Sequence, residues 1–235
     1  MEQTCGMILF PGLTQLDLTG PYEVLCRVPN MKVVLLAVDR EPVRTEHGML
    51  LMPECTFAEA PRLDILVVPG GTGINETLLD PRYLSFVSAA GASVTWITSV
   101  CTGSLLLGAA GLLRGCRATT HWRSIEFLAA FGAIPVADER VVVDGNVVTA
   151  AGVSAGIDFA LLLAARICGE AAAQQIQLGI EYDPSPLFAS GHPRTAPTGV
   201  LAAEEQRLIP AIERRREIVR RAAEQMQQRA EQART

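Results

Sequence analysis

Cys101 is the residue of this sequence best placed to do chemistry. It lies in a Ser-Val-Cys-Thr-Gly segment, residues 99–103, between two apolar runs. The run before it, residues 93–98, is short and rich in β-branched residues, which predicts a buried strand; the run after it, residues 104–113, predicts a buried helix. We expect a cysteine at such a turn to be exposed and strained, with a thiol pKa lowered by the helix N-terminus. The small residues two positions before and after it suit a nucleophile elbow.

Asp17 is the first candidate partner for this thiol. It follows the first predicted strand, residues 7–10, and is flanked by leucines. Thr14 and Asp17 have the spacing of a helix capping box, which is one interpretation. Gly20 and Pro21 favour a helix that begins at Pro21, which would leave Asp17 ahead of that helix and free to face the site. A carboxylate beside a thiol in an apolar pocket has a raised pKa and can move protons.

Two further sites in the sequence, the Gly70-Gly71 pair and His121, could assist the reaction of Cys101. Gly70 and Gly71 follow the third predicted strand, and their backbone N–H groups could bind a developing anion. The alternative is a tight turn that needs positive φ; a phosphate loop is not indicated, because no lysine follows. His121 precedes a predicted helix and could be a general base for Cys101, although the pattern favours a structural histidine at the helix start.

The elements that must position these residues predict an α/β fold. Strands that are apolar throughout alternate with helices, which is typical of a parallel sheet covered on both faces. We therefore expect a doubly wound, flavodoxin-like sandwich with a mainly parallel sheet. In such sheets the site lies at the carboxyl ends of the strands, and the loops after Phe10, Val68 and Thr98 lead to the candidates above.

The C-terminal part of the sequence has a different character. Residues 183–199 carry four prolines and predict an irregular arm, and residues 201–233 predict a charged helix. We expect residues 1–180 to form the catalytic domain, and residues 181–235 to pack on it or on a partner subunit. The arginines of the last helix alternate with glutamates, which predicts a solvated helix face. They are Arg214, Arg215, Arg216, Arg220 and Arg221.

Composition excludes several classes of partner. The net charge is −5, so neither nucleic acid nor an anionic membrane is expected to bind. The N-terminus has no signal-peptide pattern, and no apolar run reaches the roughly 18 residues that span a bilayer, so we expect a cytoplasmic protein. Six scattered cysteines and three histidines give no metal-binding spacing, and apart from Cys101 the cysteines are expected to be packing residues.

Taken together, these motifs resemble the DJ-1/ThiJ/PfpI superfamily over about residues 5–180. The likeness is carried by the Phe-Pro-Gly at residues 10–12, the acidic segment 17–23, residues 64–71, the Cys101 elbow, residues 109–113, and the Ala-Thr-Thr-His-Trp at residues 118–122. The resemblance implies a flavodoxin-like fold and a reactive cysteine that an acidic residue of the first loop contacts. It also implies a homodimer.

Asp17 and Thr102 make the chain similar to the isocyanide hydratase branch. Many members carry Glu at the first position, and the protease-like branch carries His at the second; the arm extends the likeness to about residue 200. The resemblance implies that water adds to a small apolar isocyanide to give an N-substituted formamide through a Cys101 thioimidate, without metal or organic cofactor. Asp17 would move the protons, and Thr102 with Gly70 and Gly71 would position the intermediate.

Gly152 is a candidate hinge. It lies just before the long apolar helix predicted from residue 154. We expect movement there when the cysteine loses its charge, so a β-branched residue at this position should slow turnover.

Three alternatives remain. The Thr-Thr-His-Trp segment also resembles the sensor half of AraC-like regulators, but the residues after the arm predict one charged helix rather than a DNA-binding domain. Glyoxalase or deglycase activity on 2-oxoaldehydes usually uses Glu and His around the cysteine, which Asp17 and Thr102 fit poorly. A non-enzymatic redox sensor, in which Cys101 is oxidised to a sulfinate, stays open.

Overall fold

The computed structural model describes residues 2–232. The strands are β1 (Gln3–Ile8), β2 (Met31–Ala37), β3 (Val43–Arg44), β4 (Leu50–Leu51), β5 (Cys55–Thr56), β6 (Ile65–Val68), β7 (Trp96–Val100), β8 (Arg117–Ala118), β9 (Ile134–Pro135), β10 (Val141–Asp144) and β11 (Val147–Ala150). The helices are α1 (Gln15–Leu25), α2 (Ile74–Thr77), α3 (Pro81–Gly91), α4 (Gly103–Ala109), α5 (Ala155–Cys168), α6 (Glu170–Gly179) and α7 (Thr198–Gln232), with 3-10 helices η1 (Phe57–Glu59) and η2 (Trp122–Phe131).

The central sheet confirms the predicted doubly wound α/β architecture. Its strand order is β10-β11-β7-β6-β1-β2-β5, and every neighbouring pair is parallel except β10 with β11. The inner order β2-β1-β6-β7-β11 is the flavodoxin-like order. All four residues of β6 are buried, because helices cover both faces of the sheet.

Close packing between α1 and α5 explains why the prediction for the start of the first helix is wrong. Helix α1 begins at Gln15, and Pro21 lies inside it. A Cβ atom at Gly156 would come within 3.0 Å of Pro21 Cδ, so the small residues let the two helices approach closely. Proline removes one backbone donor there, but packing against α5 holds the segment helical.

Two other elements differ from their predicted extents. Helix α4 ends at Ala109 rather than near Leu113, because the chain turns at Gly111 with φ of 86°. The segment that follows His121 is the 3-10 helix η2 rather than an α-helix. Strands β10 and β11 form an antiparallel hairpin, and β11 also joins the main sheet beside β7.

The C-terminal helix α7 packs against η2 and also touches α2 and α4. Its buried side chains are Ile212, Arg215, Val219, Ala222 and Met226. The prolines of the arm precede this helix without regular structure. A domain boundary at residue 180 stays a prediction. Within residues 2–232, every helix is too short or too polar to cross a membrane.

Candidate active site

The backbone at Cys101 has the strained geometry of an elbow. Cys101 follows the last residue of β7, and its φ is 54°, in the left-handed region that non-glycine residues seldom occupy. Its N–H lies 3.1 Å from the Ala150 carbonyl and 2.8 Å from the Ala151 carbonyl, and its own carbonyl accepts a 2.8 Å bond from the Thr120 hydroxyl. These bonds fix the turn from β7 into α4.

Asp17 lies in the first turn of α1 and faces the elbow. Its side chain is fully buried, and Oδ2 accepts a 2.9 Å bond from the Gly70 N–H. Its other oxygen, Oδ1, is buried and has no hydrogen-bond partner among residues 2–232. The capping-box interpretation is wrong, because Thr14 makes no side-chain cap bond and its hydroxyl donates instead to Glu46 at 2.8 Å.

Burial raises the pKa of both members of the Asp17–Cys101 pair. It raises the pKa of Asp17 to about 7, against the lowering effect of the Gly70 N–H and of the neighbouring Cys101 thiol. The pKa of Cys101 lies well above its ordinary value, first because the thiol is buried and then because Asp17 is negative; the Thr102 N–H lowers it only in part.

The prediction of an exposed thiol with a lowered pKa is therefore wrong. Cys101 is only 5% exposed, and α4 is seven residues long, so the helix N-terminus is outweighed by desolvation and by Asp17. The resting cysteine is a neutral thiol beside a carboxyl group that titrates near neutrality. Such a pair can pass a proton from sulfur to carboxylate when an electrophile reacts.

Gly70 and Gly71 hold this pair in place but do not leave free donors. The Gly70 N–H is bonded to Asp17, and the Gly71 N–H donates to the Thr102 hydroxyl at 3.0 Å. The Thr102 hydroxyl lies 3.3 Å from the Gly71 carbonyl and can donate back to it. Both N–H groups are therefore already used within the site, and their expected anion-binding role stays a prediction.

His121 lies at the edge of a cavity that adjoins the elbow. The cavity has a volume of about 510 Å³, and Leu16, Thr120, Trp122 and Gly152 are among its lining residues. Burial, followed by the charge of Arg215, lowers the pKa of His121 to about 4. Its Nδ1 accepts the Arg123 N–H at 3.3 Å, so the imidazole is neutral at pH 7 and caps the start of η2.

Residues 4–166 match the profile of the DJ-1/PfpI family. The chain belongs to this family. It is 49% identical over 223 residues to the isonitrile hydratase of Pseudomonas putida, a match that covers 95% of this chain and 97% of that protein. The crystal structure of a ThiJ/PfpI family protein from Pseudomonas syringae superposes with a TM-score of 0.91 and 39% identity, over 93% of this chain and 91% of the other. Drosophila melanogaster DJ-1beta, 23% identical, shares the fold with a TM-score of 0.71, over 78% of this chain and all of that one.

Gly152 in this DJ-1/PfpI chain lies on the segment that supports the elbow. Its neighbour Ala151 accepts the 2.8 Å bond from the Cys101 N–H, and its own carbonyl accepts the N–H of Ala155 at the start of α5. Among the described residues, a Cβ atom at Gly152 would meet only His121, at 3.7 Å, which is an ordinary contact. Steric crowding therefore does not require glycine at position 152, and a hinge at Gly152 stays a prediction.

Sequence reasoning missed Arg215. Its position among alternating charges predicted a solvated side chain, yet it is 8% exposed and donates to Asn75 and Ser124. The missed signal is the apolar spacing of Ile212, Val219, Ala222 and Met226, which places position 215 on the buried face of α7. In the described part of the chain, residues 2–232, no group of three or more His, Cys, Asp or Glu side chains could hold a metal ion.

Proposed function

We propose that this DJ-1/PfpI protein is an isocyanide hydratase, a lyase that adds water to an isocyanide to form an N-substituted formamide. The observation that carries the proposal is the buried Asp17–Cys101 pair, in which one proton can move between sulfur and carboxylate. Near-full-length similarity to an isonitrile hydratase supports it, since isonitrile is another name for isocyanide. Cys101, Asp17 and Thr102 are the proposed catalytic residues.

The first half-reaction forms a covalent intermediate. The Cys101 sulfur attacks the terminal carbon of the isocyanide while Asp17 accepts the thiol proton, and Asp17 then delivers this proton to the same carbon. The product is a thioimidate, R–N=CH–S–Cys101, in which one C–S and one C–H bond have formed. Because Asp17 has a pKa of about 7, it can act as base and then as acid in this step.

The second half-reaction releases the formamide. Asp17 takes a proton from water, whose oxygen adds to the thioimidate carbon, and passes this proton to the nitrogen to give R–NH–CH(OH)–S–Cys101. The C–S bond then breaks as the hydroxyl oxygen forms the carbonyl, and Asp17 carries the hydroxyl proton to the leaving sulfur. The Cys101 thiol is restored, and the product is R–NH–CHO. Every atom of the product comes from isocyanide and water and no electron is lost or gained, so the reaction requires no redox cofactor. We propose that it also proceeds without a metal or another organic cofactor.

Thr102, Gly70 and Gly71 support the reacting pair. The Thr102 hydroxyl and the Gly71 backbone hold the loop after β6 against the elbow, and the Thr102 N–H lowers the pKa of the Cys101 thiol in part. The same N–H group would stabilise the negative charge that develops on sulfur when the C–S bond forms or breaks. We propose that these three residues also fix the position of the intermediate.

We further propose that the protein acts as a cytoplasmic homodimer. All six cysteines lie within the described residues and are free, as expected in a reducing compartment. On the arm, Leu187 and Phe188 are 85% and 72% exposed in a single copy, and a second subunit could cover them.

The test is turnover of para-nitrophenyl isocyanide, with formamide followed directly. We expect the wild type to form the formamide, and Cys101→Ala and Asp17→Asn to lose it. Absence of turnover by the folded wild type would remove the proposed activity. Turnover that survives Cys101→Ala would remove the covalent route but not the activity.

A further inference from the structure

We propose that Arg215 of the C-terminal helix is a positioning residue for Cys101: it supplies a buried positive charge that favours the thiolate form and ties α7 to both segments that flank the elbow. The proposal concerns thiol chemistry, so it can be tested without the isocyanide reaction. It assigns a role in the site to a helix that lies outside the part of the chain that matches the family profile.

The side chain of Arg215 is held between two elements. Its Nε donates to Asn75 Oδ1 at 3.1 Å, and its Nη1 donates to Ser124 Oγ at 2.9 Å. Asn75 lies in α2, shortly after Gly70 and Gly71, and Ser124 lies in η2, shortly after the Thr120 hydroxyl that binds the Cys101 carbonyl. The guanidinium group therefore connects two segments of the site. One follows the loop in which the Gly70 N–H binds Asp17, and the other follows Thr120, whose hydroxyl binds the Cys101 carbonyl.

The two arginines next to Arg215 form exposed ion pairs, whereas Arg215 does not. Arg214 pairs with Glu76 and Arg216 pairs with Glu126, and these four side chains are each more than half exposed. Arg215 is buried, and no carboxylate within residues 2–232 pairs with it. A buried cation without a carboxylate partner exerts a field that water screens weakly.

The Cys101 sulfur is among the groups that this field reaches. Burial raises the pKa of Cys101 and lowers the pKa of Arg215. The positive charge of Arg215 opposes part of the first shift, and a negative charge on Cys101 opposes part of the second. The charge of Arg215 also helps to keep His121 neutral. The negative charge of Asp17 on α1 has the opposite effect and raises the pKa of Cys101. The charge of Glu46 raises the pKa of both Asp17 and Arg215. Arg215 thus offsets part of the penalty that burial and Asp17 impose on the thiolate.

The experiment measures the rate at which iodoacetamide alkylates Cys101 as a function of pH, in the full chain. Mass spectrometry of the Cys101 peptide separates its signal from the other five cysteines. We expect Arg215→Met to raise the apparent pKa of Cys101 and so to slow alkylation at pH 7 about tenfold. Arg215→Lys, which keeps the charge, should restore most of the rate. Arg214→Met and Arg216→Met are matched controls from the same helix and should keep the wild-type profile.

Two further measurements distinguish an effect of the Arg215 charge from an effect on folding. Repeating the comparison in an Asp17→Asn background removes the titration of the carboxyl, and the Arg215→Met shift should persist there. The His121 pKa, followed by NMR, should rise in Arg215→Met. If methionine at this position prevents folding, Arg215→Gln, which retains a polar atom for Asn75 and Ser124, provides the neutral variant.

An Arg215→Met or Arg215→Gln protein that is folded and keeps the wild-type alkylation profile would overturn the proposal. So would an Arg215→Lys protein whose profile shifts as far as that of the neutral variant, since hydrogen-bond geometry rather than charge would then be responsible. Failure of isocyanide turnover in the wild type would refute the proposed activity and leave this result unaffected.

Discussion

Replacing Gly70 with alanine should disable the site with a single added methyl group. A Cβ atom at Gly70 would come within 2.5 Å of the Thr102 nitrogen, 2.6 Å of the Thr102 hydroxyl oxygen and 2.9 Å of Asp17 Oδ2. Ordinary contact begins at 3.4 Å. All three atoms belong to the proposed catalytic residues Thr102 and Asp17, and the nearest one is a backbone atom of the elbow, which cannot rotate away.

The size of the effect follows from these distances. Relief of the closest contact requires a displacement of roughly 0.9 Å, and a misplacement of about 1 Å at a reacting centre reduces rates by about 100-fold. Added volume in a packed region also lowers the free energy of unfolding by about 1–3 kcal/mol. We therefore expect Gly70→Ala to fold with a lower Tm and to lose about 100-fold in kcat/KM for para-nitrophenyl isocyanide.

The pH profile gives a second, more specific readout. The Gly70 N–H lowers the pKa of Asp17, so displacement of that donor should move the pKa of Asp17 above about 7 and shift the rising limb of kcat/KM to higher pH. Gly179→Ala is the control, because Gly179 is the last residue of α6 and a Cβ atom there would meet none of residues 2–232 within 4 Å. A folded Gly70→Ala protein with kcat/KM within about threefold of wild type would refute the reasoning.

Two other predictions concern Asp17 and Gly152. Because burial raises the pKa of Asp17 from 3.8 to about 7, the native state binds more protons than the unfolded state between these values, and its stability should fall as pH rises through this window. Asp17→Asn should remove that fall, worth up to about 4 kcal/mol, in denaturant unfolding at pH 4 and pH 8; an unchanged pH dependence would contradict the raised pKa. Gly152→Val should slow turnover through backbone stiffness, whereas Gly152→Ala should do so much less, and equal kinetics for wild type and Gly152→Val would exclude a hinge.

The fold could be predicted from the sequence because it depends on local patterns. Continuous apolar strands such as β6 indicated a parallel sheet, and the small residues around Cys101 indicated the elbow that φ of 54° confirms. Asp17 was identified by its position after β1, but its place inside α1 was missed. Pro21 indicated a helix start, and only the packing of α1 on Gly156 of α5 shows why the helix extends past it.

The electrostatics of the site could not be predicted because they depend on contacts between distant segments. The pKa of Cys101 follows from burial and from Asp17, which lies 84 positions earlier in the chain. Gly70 and Gly71 were identified, but the bonds that occupy their N–H groups come from Asp17 and Thr102. Arg215 lies beyond the arm, and nothing local links it to Asn75 or Ser124.

Burial of both acid groups is what the proposed reaction needs. An exposed thiolate would attack readily, but its proton would already be in the solvent, and the isocyanide carbon requires a proton when the C–S bond forms. In this site the thiol keeps its proton, and Asp17, with a pKa of about 7, can take that proton and return it to carbon while both groups stay buried. Sulfur carries negative charge only while this transfer proceeds. The stabilisation it needs is therefore transient, and the Thr102 N–H and the buried charge of Arg215 can supply it without ionising the resting thiol.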